Sequence, residues 1–205
     1  MTKEKSGFMD CIKVGNLISQ LRKEKGLTQK NIADKLGIQS KTVSKWECGW
    51  GCPDAEYWTQ LSEILGVDMV QMLEGQIVSN KPDSGNIEKV KFYSCPDCGN
   101  ILVSTSQASV FCCGRKLESL SPSDCEKPEV SAVQADTDYF VTIGHSMEKE
   151  HYISFAAYVK SDKVYFNRLY PEQNCELRIP MSIGTHGKLY IYCTRHGLAI
   201  YENLL

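Results

Sequence analysis

Ten cysteines and four histidines in 205 residues are the groups on which the chemistry of this chain turns. Four of the cysteines fall in two knuckles, Cys95-Pro96-Asp97-Cys98-Gly99 and Cys112-Cys113-Gly114, with thirteen residues between Cys98 and Cys112. Two short loops of this kind can bring four thiolates to the corners of a tetrahedron, and such a set takes Zn or Fe. The glycine behind each pair lets backbone N–H groups turn towards sulfur and stabilise its charge. A segment of about thirty residues cannot build a sufficient core without such a staple, which disfavours four unligated thiols.

A second set lies further on. His145 and His151 share one segment, and His196 stands beside Cys193 in Tyr192-Cys193-Thr194-Arg195-His196. Imidazoles with one thiolate suit Fe or Zn. The plainer alternative is a set of histidines that only hydrogen-bond. His186, in Gly184-Thr185-His186-Gly187, reads as a solvated loop residue. Cys48 and Cys52 flank the turn Cys48-Gly49-Trp50-Gly51-Cys52. A reversible disulfide between them would alter the neighbouring structure, although plain thiols are the commoner outcome. Cys11, Cys125 and Cys175 complete the ten.

Charge separates the chain into a basic head and an acidic body. The net charge is −2. Yet residues 11–50 hold Lys13, Arg22, Lys23, Lys25, Lys30, Lys35, Lys41 and Lys45 against Glu24, Asp34 and Glu47. A basic end suits contact with phosphates. No run approaches the roughly 18 apolar residues of a membrane helix, and no signal-type apolar core follows the first residues. A cytoplasmic location is therefore expected. In a reducing compartment, clustered cysteines mean metal or redox chemistry more often than structural disulfides.

The elements that must position these groups fall into three parts. Residues 12–74 have the spacing of five short helices. Val14, Leu17, Ile18 and Leu21 line the first, which Gly26 ends. Thr28 caps a second, with Ile32, Ala33 and Leu36 inward and Gly37 as its stop. Ser40 caps a third, carrying Val43 and Trp46; Asp54 and Asp68 cap two more. Residues 75–90 are a polar linker, and 91–120 form the compact cysteine segment. Residues 125–205 alternate as strands: Tyr139–Ile143, Ile153–Val159, Lys163–Leu169, Cys175–Ile179, Tyr190–Cys193 and Leu198–Tyr201. The expected architecture is multidomain: an all-α helical domain, a small four-cysteine module and an all-β antiparallel sandwich.

The second and third helices around Gly37 have the helix-turn-helix pattern. Leu27-Thr28-Gln29-Lys30-Asn31-Ile32-Ala33-Asp34-Lys35-Leu36-Gly37-Ile38, followed by Thr42-Val43-Ser44-Lys45-Trp46-Glu47, resembles the Cro/repressor-like (Xre) family over residues 12–74. The resemblance implies binding to double-stranded DNA as a homodimer. Gln29 would face a phosphate at a helix N-terminus. Gln39, Ser40, Lys41, Thr42, Ser44 and Lys45 would face the major groove. The alternative is a helical bundle with an idle basic face.

The knuckles at Cys95, Cys98, Cys112 and Cys113 resemble the desulforedoxin module, which binds one iron through four cysteines. The segments holding His145, His151, Cys193 and His196 resemble superoxide reductases (desulfoferrodoxin, neelaredoxin) over residues 125–205, in the order found in two-iron desulfoferrodoxins. That resemblance implies an immunoglobulin-like sandwich. It also implies an iron held by His145, His151 and His196, with Cys193 axial. Glu126 and Lys127 match the loop that assists catalysis in that family. The sequence departs from the family at Pro128, where a further histidine ligand is expected, and at Ser146, where the family has proline. Three readings follow. The leading one is a DNA-binding transcriptional regulator with an iron-binding region that senses redox or oxygen stress. The alternative is a superoxide reductase-type oxidoreductase with a DNA-binding head. The third makes the metal module and sandwich a scaffold that dimerises the head.

Overall fold

The structure, a computed structural model, describes residues 9–205 apart from 84, 87, 88, 161, 182–185, 203 and 205. Ser84 of the expected linker, and Gly184 and Thr185 beside His186, lie outside the described residues. The chain divides into two compact units, Met1–Ser79 and Asn80–Leu205.

The first unit is helical: α1 (Cys11–Glu24), α2 (Gln29–Leu36), α3 (Ser40–Glu47), α4 (Trp58–Leu65) and α5 (Met69–Glu74), with a 3-10 turn at Ala55–Tyr57. Asp10 starts α1 by accepting from the Ile12 and Lys13 N–H groups. Thr28 and Asn31 form a reciprocal capping box on α2, and Asp68 accepts from the N–H groups of Val70 and Gln71. Two expected caps fall differently. Ser40 is already the first residue of α3, whose N-cap is Gln39 with no side-chain cap. Asp54 precedes the 3-10 turn, and its side chain does not cap it. Val14, Leu17, Ile18, Leu21, Ile32, Val43, Trp46, Leu61 and Met72 form one core. It is the face that the helical spacing marks out.

The second unit opens with two hairpins. β1 (Lys91–Ser94) pairs with β2 (Ile101–Ser104), and β3 (Val110–Cys112) with β4 (Arg115–Leu117). Seven strands follow: β5 (Glu129–Ala135), β6 (Asp138–Gly144), β7 (Ile153–Lys160), β8 (Lys163–Arg168), β9 (Glu176–Pro180), β10 (Lys188–Cys193) and β11 (Gly197–Glu202). They form two antiparallel sheets, ordered β11-β10-β7-β8 and β5-β6-β9. Val141, Ile143, Leu177 and Ile179 of one sheet meet Ile153, Tyr158, Leu189 and Ile191 of the other in a shared core, which makes the arrangement a sandwich. β7 is buried along nearly its whole length. Its outer face, with Phe155, packs on Phe92 of β1 (ring centroids 5.0 Å). The hairpin module therefore seats on the sandwich, and β7 reads as a continuous apolar run rather than an alternating one. β5 was not among the expected strands. It is an edge strand with no fully buried residue, so its pattern carries little hydrophobic signal.

Candidate metal centres and DNA-facing surface

The first knuckle is the turn of the β1–β2 hairpin. The second is the two-residue Cys113-Gly114 turn between Cys112 of β3 and Arg115 of β4. Both turn residues have positive φ, 50° and 75°, the backbone that a tight hairpin turn of this twist requires. For a non-glycine residue such as Cys113 it is an unfavourable conformation, held by its surroundings. The four sulfurs of Cys95, Cys98, Cys112 and Cys113 lie within 4.8 Å of one another. Cys98 and Cys112 are 3.6 Å apart, Sγ to Sγ. Four sulfurs at about 2.3 Å from one tetrahedral ion would be about 3.8 Å apart, so the cluster has the dimensions of a tetrathiolate site.

Electrostatics fit the same reading. Backbone N–H groups of Cys98, and then of Asp97, point at the Cys95 sulfur and bring its pKa down to about 7 against the cost of burial. The Gly99 N–H, expected to serve sulfur, instead donates to the Cys95 carbonyl at 2.9 Å. The Cys113 thiol is pushed up to about 12 by its sulfur neighbours, Cys98 first. Within the cluster the Cys95 thiol is shifted towards ionisation and the Cys113 thiol away from it. An Arg115–Asp97 ion pair (2.9 Å) ties the two knuckles together at the surface.

The second cluster draws on four places in the sandwich. His145 follows β6, His151 precedes β7, Cys193 ends β10, and His196 lies in the turn to β11. The β7–β10 register shifts between Tyr192 and Cys193, an irregularity of the kind that re-aims a side chain. Facing ring nitrogens are 3.4 Å apart (His145 Nε2 to His196 Nδ1) and 3.5 Å apart (His151 Nε2 to His196 Nδ1). Nitrogens held at about 2.05 Å by a tetrahedral ion are about 3.4 Å apart. Cys193 Sγ completes a group whose ligand atoms all lie within 4.8 Å. It is buried and accepts from the Arg195 N–H at 3.4 Å. Burial, together with repulsion from His151 and His196, lowers the pKa of His145, although its ring bonds the Ser146 carbonyl. The lowered pKa favours a neutral ring at His145, the form in which imidazole binds metal.

An open cavity of about 310 Å³ lies over this cluster, lined in part by Glu126, Lys127, Pro128, Glu129, His145 and His151. Glu126 and Lys127 thus border the cluster. The Lys127 ammonium, however, donates to the Ile200 carbonyl at 2.9 Å and sits over the Tyr201 ring. The Tyr201 hydroxyl in turn donates to the Pro128 carbonyl. His186 is exposed and is not one of the converging groups. Buried Cys175 has its pKa pushed up to about 12 by burial and stands apart from both clusters.

In the first unit Gln39, Ser40, Lys41 and Lys45 are exposed and Thr42 and Ser44 half-buried, so α3 presents a polar, basic face. Gln29 has an internal partner. Its Nε2 donates to Glu47 Oε2 at 2.9 Å, beside a two-pronged Arg22–Glu47 pair at 2.6 and 2.9 Å. Cys52 is also partnered otherwise than expected. It forms a disulfide with Cys11, 41 residues away, while Cys48 is a free, exposed thiol. Spacing along the turn suggested Cys48. The α1–α3 packing that brings Cys11 close leaves no mark in the local sequence.

Comparison with known proteins finds relatives for each unit. Residues 18–71 match the HTH_3 helix-turn-helix family model. The chain is 39% identical over 59 residues to an uncharacterized HTH-type transcriptional regulator of Bacillus subtilis, YqaE, covering 29% of this chain and 51% of that protein. The chain spans about half the length of that relative. The remaining region is similar to the desulfoferrodoxin homolog of Methanothermobacter thermautotrophicus, 28% identical over 120 residues, which covers 54% of this chain and 97% of the relative. The superoxide reductase from Treponema pallidum aligns with a TM-score of 0.47 and 17% identity, covering 55% of this chain and 96% of that one. A helix-turn-helix unit is joined in one chain to a desulfoferrodoxin-like region. No described helix is long and apolar enough to cross a membrane.

Proposed function

We propose that this protein is a cytoplasmic, DNA-binding transcriptional regulator whose second unit binds iron and reports redox or oxygen stress to the helix-turn-helix. The observation that carries the reading is the union of two features. One is a helix-turn-helix with a basic, polar α3; the other is a pair of clusters with the spacing of metal ligands. Cys95, Cys98, Cys112 and Cys113 hold one ion, with Zn the alternative to Fe. His145, His151, Cys193 and His196 hold the other. Iron in such sites supplies one-electron chemistry, and a change of oxidation state or occupancy alters the charge each site carries. Gln39, Ser40, Lys41, Thr42, Ser44 and Lys45 contact DNA. Gln29 reaches phosphate only where Glu47 releases it. Paired heads on a palindromic duplex imply a homodimer. Pro128 at the expected ligand position, and the engagement of Lys127 with Ile200 and Tyr201, weigh against turnover as a reductase.

Selection of duplexes from a random pool tests the reading. We expect one enriched sequence, weakened by Lys41→Ala and Thr42→Ala, and bound with different affinity by the anaerobic iron-loaded and metal-free proteins. No enrichment, or equal binding in both states, overturns it.

A further inference from the structure

We infer that Cys11 and Cys52 form a reversible thiol–disulfide site that governs the grip of the recognition helix, independently of the metal centres. The inference rests on the DNA-binding reading above. The disulfide joins the first residue of α1 to the turn after α3 and spans 41 residues of the chain. Both cysteines are half-exposed, within reach of small oxidants and thiols.

Besides the bond, α1 meets α3 and the turn after it at three other points. A Cβ on Gly15 would lie 1.9 Å from the Trp46 carbonyl oxygen, so only glycine permits the observed approach. Gly49 fits against Ile12 in the same way. Arg22 holds Glu47. Beneath these contacts lies a continuous apolar core. A cross-link added to helices already packed in these ways, in a protein proposed to work where thiols are kept reduced, has the setting of a redox-sensing bond.

What the bond adds is control of the end of α3. The turn after α3 closes it: Cys48 N–H donates to the Ser44 carbonyl (3.0 Å), Gly49 N–H to Trp46 (2.9 Å) and Trp50 N–H to Lys45 (3.0 Å). Cys52 anchors the far end of that turn to α1. Gly49 against Ile12 holds the near end of that turn, whereas Trp50 in its middle is 81% exposed. Opening the bond frees the segment that caps α3 at Ser44 and Lys45, two of the residues assigned to DNA contact.

The chemistry balances with a hydroperoxide as oxidant. One thiolate attacks the peroxide, the O–O bond breaks, and a sulfenic acid forms with release of an alcohol or water. The other thiol displaces water from it and closes the S–S bond. Two molecules of a small thiol reverse the step by exchange and leave as their own disulfide.

The full-length protein is equilibrated in glutathione buffers of graded redox poise. Alkylation and mass spectrometry then follow the Cys11–Cys52 pair. In parallel, anisotropy reads binding to a duplex selected by the protein itself. We expect full interconversion within the buffered range, with the disulfide form binding roughly tenfold more tightly, the effect of about 1.4 kcal/mol of preorganisation. The double variant Cys11→Ser/Cys52→Ser should match the reduced protein in every buffer, and hydrogen peroxide should not tighten its binding. Cys48→Ser should switch as the parent does. A pair that stays oxidised at every poise, equal binding in both forms, or loss of switching in Cys48→Ser overturns the inference. If no duplex is selected from either form, the DNA-binding reading fails and this one with it, whereas a titration without an affinity change sinks this one alone.

Discussion

The two candidate metal clusters are built in opposite ways. The four-cysteine cluster is local: two hairpin turns supply all its sulfurs, and its nearby core is Tyr93, Cys95 and Leu117 with a few half-buried neighbours. The histidine cluster is distributed: its ligands come from the ends of three strands and one turn, and 51 residues separate His145 from His196. A local site depends on its ion for its own order. A distributed site depends on the surrounding fold for its geometry. Removing ligand, core and charge in turn should therefore affect the two clusters unequally.

The largest effect should come from Cys95→Ser. Binding a structural ion in a small module is worth about 10–16 kcal/mol, and the hairpins have too small a core to order themselves without it. We expect loss of that ion and rapid amide exchange through residues 91–120, while the ion at His145, His151, Cys193 and His196 is retained. Metal counting with hydrogen exchange reads both. Protected hairpins without metal would show that the module is held by its seat on β7 instead. The reciprocal variant, His151→Ala, should lower affinity at the second site by more than about a hundredfold, beyond the loss caused by groups that only orient ligands. The sandwich should stay folded on its own core, which thermal unfolding monitored by circular dichroism checks.

Legibility in the sequence follows the same division. The knuckles were readable because hairpin turns place residues close in sequence close in space. Cys193 and His196 were readable as a pair for that reason, but the convergence of His145 and His151 on them required the β6, β7 and β10 registers. Resemblance to a known family supplied that, not periodicity. In the head, the helix spacing and the caps at Thr28 and Asp68 were local and legible. The Cys11–Cys52 bond and the Gln29–Glu47 hydrogen bond were not, because both arise from helices packing across the core. β5 escaped because an edge strand with half-buried Val130 and Ala132 has too few large apolar residues to show alternation.

A core substitution sharpens the comparison further. Ile191 is 1% exposed on β10, two residues before Cys193. Ile191→Ala should cost the sandwich about 2–5 kcal/mol and loosen the strand end that aims the thiolate. We expect weaker metal binding at the histidine cluster with little change at the cysteine cluster. Equal weakening at both would mean that the clusters share one cooperative unit.

The smallest effect concerns the pH at which the two units fail. Metal ligands compete with protons, so acidification should release the ions proposed for the second unit. The described residues of the head form no such ligand cluster, but the head has Glu47. Burial alone would raise the pKa of this carboxyl, yet hydrogen bonds from Arg22, Gln29 and Ser19 and the Arg22 charge outweigh burial and hold it below its ordinary value. A carboxylate depressed in the folded state stabilises fully above its unfolded pKa, and the contribution disappears as pH falls through the folded one. The head should therefore keep its melting temperature through the mildly acidic range in which the metal unit is expected to fail, then lose stability as pH falls from the ordinary carboxylate range through the lowered pKa of Glu47. Glu47→Gln should flatten that last decline while lowering stability at neutral pH, because it leaves Arg22 buried without its charge partner. Melting of the metal-free protein, followed by the tryptophans of the head, would show it; an unchanged acid limb in Glu47→Gln would remove Glu47 as its cause.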